Sequence, residues 1–284
     1  RFLHCSLSFT KNPDKSFAKR HYEGTSLGEI WGYRVGGLFA SDAEASEYTS
    51  IIDQSYVNEI IMQSAGPEGK PRGGDLKFLD LNGDKKILPG TSVHNPGDQE
   101  IIGNSEPRYQ YGASFNASWN GIDLSLFFQG VGKRDWYPEA NTMAFWHLYA
   151  RPYATYIPKD FHNQFWTEEN PDAYFPRPRG YTALQGSRRQ LTAVNDRYLQ
   201  SLAYLRFKNL TIGYSLPEIW TKKVKIENFR VYFSGENLAT WTNLKSDYID
   251  PESVVTNDIY GGASNLARNY PLQKVYTIGI DITF

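Results

Sequence analysis

Hydrophobic and polar residues alternate one by one along the last segment of the chain, from Gln273 to Phe284. One face carries Tyr276, Ile278, Ile280, Ile282 and Phe284, and the other carries Thr277, Gly279, Asp281 and Thr283. Because successive residues of a strand point to opposite sides, the pattern predicts a β-strand with one apolar face. Its length suits a bilayer-crossing strand of about 9–11 residues between lipid and an aqueous lumen. A half-buried strand of a soluble β-sandwich shows the same alternation.

Five further segments have a strand pattern. They cover residues 1–10, 107–119, 122–131, 204–216 and 228–238. Asn120-Gly121 separates two of them, and both residues tolerate the positive φ angles of a two-residue hairpin turn. We therefore expect an antiparallel hairpin over residues 107–131.

The links between these strands alternate between long and short. Links 11–106, 132–203 and 239–272 are long, whereas links 120–121 and 217–227 are short. Connections in compact soluble domains are usually about 4–6 residues, whereas outer-membrane barrels alternate short periplasmic turns with long extracellular loops. If Phe284 ends on the periplasmic side, all three long links are extracellular.

A barrel needs more strands than these six, since the smallest type has about eight. An open sheet edge in hydrocarbon would leave backbone groups unpaired. The segment is therefore expected to belong to a larger barrel. Its first residues begin in mid-alternation without a signal peptide, which also suggests a piece of a longer protein.

Composition narrows the classes of function. The 284 residues carry a net charge of −1, so no bulk attraction to nucleic acid or to anionic lipid is expected. The single cysteine, Cys5, excludes an internal disulfide framework and a cysteine-based zinc site. The sequence contains no run of about eighteen apolar residues, so no transmembrane helix is predicted.

Several longer stretches occur in a fixed order along the chain. They are Gly73-Gly-Asp-Leu-Lys-Phe-Leu-Asp-Leu-Asn-Gly-Asp84, Ile101-Ile-Gly-Asn104, 123–132, Tyr204-Leu-Arg-Phe-Lys-Asn-Leu-Thr-Ile-Gly-Tyr-Ser-Leu-Pro217 and 230–238. In these stretches the chain resembles the C-terminal part of the SusC/RagA family of TonB-linked outer-membrane transporters, the nutrient importers of Bacteroidetes.

The resemblance implies an all-β fold, formed by the C-terminal antiparallel strands of a transmembrane barrel of about 22 strands. It also implies long extracellular loops, a multi-pass position in the outer membrane, and a plug and N-terminal domain that this chain does not include. The implied activity is uptake of oligosaccharide or peptide with a SusD-like surface lipoprotein, driven by the TonB complex. The chain itself would be non-enzymatic and would need no cofactor.

One segment has the spacing of a calcium-binding loop. Asp80, Asn82 and Asp84 offer side-chain oxygens at alternate positions, Lys86 would offer its backbone carbonyl, and Asp98 would close the site. Lys85 occupies the position where glycine makes the sharp turn, and the closing acid is displaced by an insertion. A solvated loop of Asx turns is the alternative. A bound calcium would be structural.

The link from Lys133 to Gln200 is rich in aromatic residues: Trp136, Tyr137, Phe145, Trp146, Tyr149, Tyr153, Tyr156, Phe161, Phe165, Trp166, Tyr174 and Phe175. These rings suit a core of the loop itself, a protein contact or a sugar contact. No residue is singled out as substrate-binding.

No catalytic set is predicted. The five histidines lack metal-ligand spacing, and we interpret Asp247, Asp250 and Glu252 as a solvated loop rather than a glycosidase pair. The rival hypothesis is a secreted carbohydrate-binding β-sandwich. In a sandwich, Tyr109, Phe115, Ile278 and Ile280 would pack against a second sheet, whereas in a barrel wall they would point outward.

Overall fold

The computed structural model describes residues 22–59, 69–150, 157–179, 188–254 and 272–284. The strand predicted at residues 1–10 lies outside the described residues. No helix in the described ranges is both long and apolar enough to cross a membrane.

The described residues form eleven strands and a few short helices. In chain order the strands are β1 (Glu29–Tyr33), β2 (Val35–Leu38), β3 (Leu76–Phe78), β4 (Gln99–Asn104), β5 (Gln110–Trp119), β6 (Ile122–Val131), β7 (Asp135–Trp136), β8 (Gln200–Ser201), β9 (Tyr204–Ser215), β10 (Asn228–Thr242) and β11 (Val275–Thr283). The α-helices are α1 (Asp42–Ile51), α2 (Met143–Trp146) and α3 (Glu218–Thr221), with 3₁₀ turns at Ser55–Asn58, His147–Tyr149, Phe161–Asn163 and Lys222–Val224.

Five strands form one antiparallel sheet, here called the wall, in the order β11-β10-β9-β6-β5. They match the five predicted strands that fall within the described residues. Asn120 and Gly121 have φ angles of 47° and 83°, as the hairpin prediction requires. Strand β10 runs to Thr242, beyond the predicted end, through a bulge at Asn237, which has a φ of 52°.

The register of the wall keeps like residues on like faces. One row across the sheet contains Ala117, Leu124, Ile212, Phe233 and Ile278. The adjacent row on the opposite face contains Asn116, Ser125, Thr211, Ser234 and Thr277. The wall therefore has an apolar face and a polar face.

Nothing in the described part of the chain covers the apolar face. Ile278 is 78% exposed and Phe115 is 55% exposed, and Tyr109 and Ile280 are also exposed. A sandwich would require these side chains to be buried against a second sheet. Their exposure agrees with the barrel-wall hypothesis and not with the sandwich.

The described parts of the three long links pack together into one unit, here called the loop cap, which comprises residues 22–59, 69–104, 133–150, 157–179, 188–202 and 243–254. Within it, short strands pair as β1–β4, β2–β3 and β7–β8. All three links contribute to a shared hydrophobic core, which includes Phe78, Ile87, Trp146, Phe175, Tyr198, Leu202, Ile249 and Val254. The sequence did not predict this core, because its members are distant along the chain.

Asp75 joins two of the three links inside the loop cap. Its side chain is fully buried and accepts hydrogen bonds from Arg179 Nε at 2.8 Å and Nη2 at 2.7 Å. The backbone N–H of Arg72 and the side chain of Gln190 also donate to it. A buried carboxylate is tolerated only when paired in this way.

We predict that Asp75→Asn destabilises the loop cap by about 3 kcal/mol, because the buried Arg179 guanidinium loses its counter-charge. Hydrogen exchange at the amides of Leu76–Phe78 in the full-length receptor measures the change. The matched control is Glu59→Gln, which removes the exposed pair with Arg188 and should cost at most about 1 kcal/mol. Equal small effects of both variants would contradict the role assigned to Asp75.

Candidate functional site

The apolar face of the wall has the dimensions of a membrane-exposed band. Its side chains run from Tyr109, just before β5, to Trp119 at the end of β5, about 34 Å along the strand at about 3.4 Å per residue, which a tilt of about 35–45° reduces to a height of about 24–28 Å. Outer-membrane barrels expose an apolar band about 25 Å tall, bordered by aromatic residues. Trp119 and Tyr214 lie at one end of this face, and Tyr109, Tyr111 and Trp241 lie at the other; all are exposed. The face can therefore contact lipid.

The polar face carries a charge bridge that spans four strands. Arg230 of β10 reaches over Gly213 of β9 to Asp123 of β6, with Nε–Oδ1 and Nη2–Oδ2 distances of 2.9 and 2.6 Å. Its Nη1 also donates to Asp281 of β11 at 3.0 Å. A β-carbon at position 213 would overlap both Asp123 and Arg230, so glycine keeps this crossing open. Such partly exposed charges suit a water-filled lumen.

The acidic residues near position 250 bind basic side chains of the wall. Both carboxylate oxygens of Asp250 accept from Arg206 Nη2, at 2.7 and 2.8 Å. Glu252 accepts from Arg206 Nη1 and from Lys208 Nζ. Arg206 is buried and lies on the polar face of β9, so the cluster fixes part of the loop cap to the wall. Asp247 is exposed.

The sequence analysis missed Arg206 as a connecting residue. The signal in the sequence is an arginine inside a predicted strand, because such an arginine needs an acidic partner if its side chain is buried. The Asp250-Pro251-Glu252 segment supplies that partner. Its carboxylates are held in ion pairs with a buried arginine, so the solvated-loop interpretation is wrong for Asp250 and Glu252. The pairs indicate a structural role rather than the proton-transfer role of a glycosidase pair.

The calcium-like segment folds around its own backbone amides. Asp80 accepts from Gly83 N at 2.7 Å and from Lys85 N at 2.8 Å. Asn82 Oδ1 accepts from Asp84 N at 2.9 Å, and Asp84 Oδ1 accepts from Lys86 N at 2.8 Å. These are the contacts of a loop of Asx turns. The structure thus brings four of the five predicted residues into one exposed loop.

Two further features bear on metal binding by this loop. Lys85 has a φ of 65°, so the lysine takes the left-handed conformation for which a calcium loop normally uses glycine. Asp98 is fully buried, and its oxygens accept from Leu81 N and Leu88 N at 2.8 Å each. Burial raises the pKa of Asp98, while its hydrogen bonds from Leu88 and Leu81 act in the opposite direction.

No group of three or more His, Cys, Asp or Glu side chains is arranged to hold a metal in the part of the chain that the structure describes. The predicted ligands include an amide and a backbone carbonyl, which fall outside that set of residue types. The calcium site therefore stays a prediction.

The aromatic residues of the 133–200 link form a core. Trp136, Phe145, Trp146, Tyr149, Phe161, Trp166 and Phe175 are buried, whereas Tyr137, Phe165 and Tyr174 are partly buried. The rings pack closely: the Phe145 and Trp146 centroids are 4.8 Å apart, edge to face, and Tyr149 stacks on Phe175. Tyr153 and Tyr156 lie outside the described residues. Of the three interpretations, a core fits the buried residues and a sugar platform does not, although the core is shared with the other two links rather than confined to this one.

Comparison with protein-family models finds no match. Among characterised proteins, the chain is 27% identical over 267 residues to TonB-dependent receptor P3 of Formosa agariphila, an alignment that covers 92% of this chain and 22% of that protein. It is 27% identical over 216 residues to TonB-dependent receptor P26 of the same organism, covering 74% of this chain and 20% of the relative. The chain thus spans about a fifth of the length of these relatives.

Solved structures give the same fold. The RagAB peptide transporter matches with a TM-score of 0.56 and 20% identity, over 98% of this chain and 24% of that chain. The RagAB peptide importer in the open-open state matches with a TM-score of 0.55 and 19% identity, over 98% and 24% of the two chains. With the sequence relatives, these matches support a partial SusC/RagA-like TonB-dependent transporter, a class of β-barrel proteins of the outer membrane.

Proposed function

We propose that the chain supplies part of the wall and the extracellular loop cap of a TonB-dependent nutrient importer. The observation that carries the proposal is the wall itself, which exposes a continuous apolar face and opposes it with a polar, charge-bearing face. This combination separates lipid from an aqueous passage. The chain has no catalytic role in the proposal, because import requires binding and release rather than bond cleavage.

The orientation follows from the two kinds of link. Asn120-Gly121 and the 217–227 link lie at one end of the wall, and the loop cap lies at the other. Short turns are periplasmic in this class of barrel and long loops are extracellular, so the loop cap faces outward. There it would meet a SusD-like surface lipoprotein, the partner implied by the resemblance. Energy from the TonB complex would act through other parts of the full receptor.

Oligosaccharide is the cargo class that we propose, following the resemblance to the SusC/RagA family. Peptide is the second candidate, supported by the similarity to the RagAB peptide importer. The buried aromatic core of the loop cap supports neither, since its rings are not available to cargo.

Uptake in living cells distinguishes these cargoes. Cells producing the full-length receptor and the SusD-like lipoprotein proposed as its partner are supplied with labelled oligosaccharides or labelled peptides. A strain lacking the receptor is the control. We expect receptor-dependent loss of oligosaccharides from the medium. If only peptides are lost from the medium, peptide replaces oligosaccharide as the proposed cargo. If neither is lost, the proposed import function is contradicted.

A structural calcium ion held by Asp80, Asn82, Asp84, the Lys86 carbonyl and Asp98 is part of the proposal. The left-handed conformation of Lys85 supports it, because the backbone already makes the sharp turn of such a loop. Bound calcium would stiffen residues 75–105 and perform no chemistry.

Lys85→Gly tests this site, because glycine adopts a positive φ without the cost of about 1 kcal/mol that a side chain incurs. We predict that the variant binds calcium more tightly than the wild type, measured by calorimetry on the full-length receptor. Chelation should increase hydrogen exchange within residues 75–105. Exchange that is unchanged by chelation in both proteins would rule out the site.

Charge insertion on opposite faces of β11 tests the wall. Ile280→Lys places an ammonium group in lipid, and we predict a destabilisation of up to about 2–4 kcal/mol in reversible unfolding of the full-length receptor in bilayers. Thr277→Lys, on the polar face of the same strand, is the matched control and should be tolerated. Equal tolerance of both changes would show that the faces are assigned wrongly.

A further inference from the structure

The link between β9 and β10 is long for the end of the wall at which it lies. The neighbouring hairpin turns with Asn120-Gly121 alone, and the two links adjoin, since Ser215 N donates to Gly121 O at 2.8 Å. The longer link instead folds into α3, Glu218–Thr221, followed by a 3₁₀ turn at Lys222–Val224. Periplasmic turns of outer-membrane barrels are short, so the additional length calls for a physical reason.

Two large apolar side chains of this link are exposed. Ile219 is 75% exposed and Trp220 is 59% exposed, although the next residue, Thr221, is buried. The backbone that carries them is ordered by Trp220 N donating to Pro217 O at 2.9 Å. Adjacent exposed apolar residues in a defined turn indicate a contact outside the chain.

Basic residues follow directly after the apolar pair. Lys222 pairs with Glu218 at 2.6 Å, one turn earlier. Lys223 and Lys225 are exposed, and neither forms an ion pair with the described residues. The link thus places two uncompensated ammonium groups within a few residues of Ile219 and Trp220.

The link that carries the apolar pair begins where the lipid-facing surface of β9 ends. Tyr214 is the last residue of β9 on the apolar face and is exposed, and Trp119 at the adjoining end of β5 is 74% exposed. Ile219 follows Tyr214 after a few residues. Tryptophan and lysine are both favoured where hydrocarbon meets head groups, whereas lysine is depleted at protein–protein interfaces.

We infer that the 217–227 link is a membrane anchor. Ile219 and Trp220 insert at the boundary of the periplasmic leaflet, and Lys223 and Lys225 bind the phosphates of anionic phospholipids there. Lysine serves as a point charge toward phosphate, and the adjoining apolar pair selects a lipid surface over free phosphate. The inference rests on the orientation in the proposed function but not on the cargo.

Spin labels measure the insertion depth. A full-length receptor in which Cys5 and any cysteine outside this chain are replaced by serine is labelled at Ile219→Cys, at Trp220→Cys or at the control Glu227→Cys, and reconstituted in vesicles of phosphatidylethanolamine and phosphatidylglycerol. We expect oxygen collisions to exceed those with a water-soluble nickel chelate at positions 219 and 220, and the reverse at 227. Nickel-dominated collisions at 219 and 220 would show that the pair faces water or a soluble partner, and would overturn the anchor.

Lipid-dependent melting tests the head-group contact. The full-length wild type and the double variant Lys223→Gln/Lys225→Gln are melted in phosphatidylcholine vesicles with and without phosphatidylglycerol. We expect the anionic lipid to raise the wild-type Tm, and the double variant to lose most of that shift. The control variant Lys70→Gln/Lys159→Gln removes the same amount of charge from exposed positions of the loop cap, and it should retain the shift in Tm.

A shift retained in the Lys223→Gln/Lys225→Gln variant would overturn the head-group contact. Neither the labels nor the melting curves depend on transport. A receptor that anchors but imports nothing would therefore count against the proposed function alone.

Discussion

Backbone pairing is the constraint on which this structure depends. In hydrocarbon every N–H and C=O group of a strand must find a partner within the protein. Strand β9 meets this requirement on both sides, with β6 and β10, and so sets one register for the whole wall. Because side chains alternate with a period of two, that shared register separates the apolar face from the polar face. Strands β5 and β11 each pair on one side within the described residues, so further strands are required to complete their ladders.

The loop cap is held to the wall by charge rather than by the sheet alone. Arg206 belongs to β9, and its guanidinium is neutralised by Asp250 and Glu252 of the loop cap. Inside the loop cap, Asp75 and Arg179 perform the same task between two distant links. Removing one partner of either buried pair strongly destabilises the protein, because the remaining charge is left buried and unpaired. Both pairs therefore hold the segments that they join in one arrangement, even where their net stabilisation is small. The wall and the loop cap are thus joined at defined points.

The sequence predicted the wall well, because its signal is local. Alternation identified the strands from residue 107 onward, and Asn120-Gly121 identified the hairpin. The prediction ended β10 too early, since the bulge at Asn237 interrupts the alternation before the strand resumes. The resemblance to the SusC/RagA family, which the comparisons support, then predicted that these strands belong to a larger barrel.

The loop cap could not be predicted in the same way. The partners of Asp75 and Arg206 lie far along the chain, and no local period records such contacts. The aromatic link allowed three interpretations, which only the burial of residues such as Trp146 and Phe175 could separate. The calcium-like loop has a local signal, yet the structure tests only its backbone shape.

The shared core of the loop cap has a consequence for how such receptors diversify. Rings and aliphatic groups from three separate connections pack against one another in one core. A chimera that swaps a single connection between relatives would therefore leave the side chains of the other two packed against a surface that does not fit them. Recombination that preserves folding must exchange the three connections together, or else leave the interior intact and vary only the outermost residues.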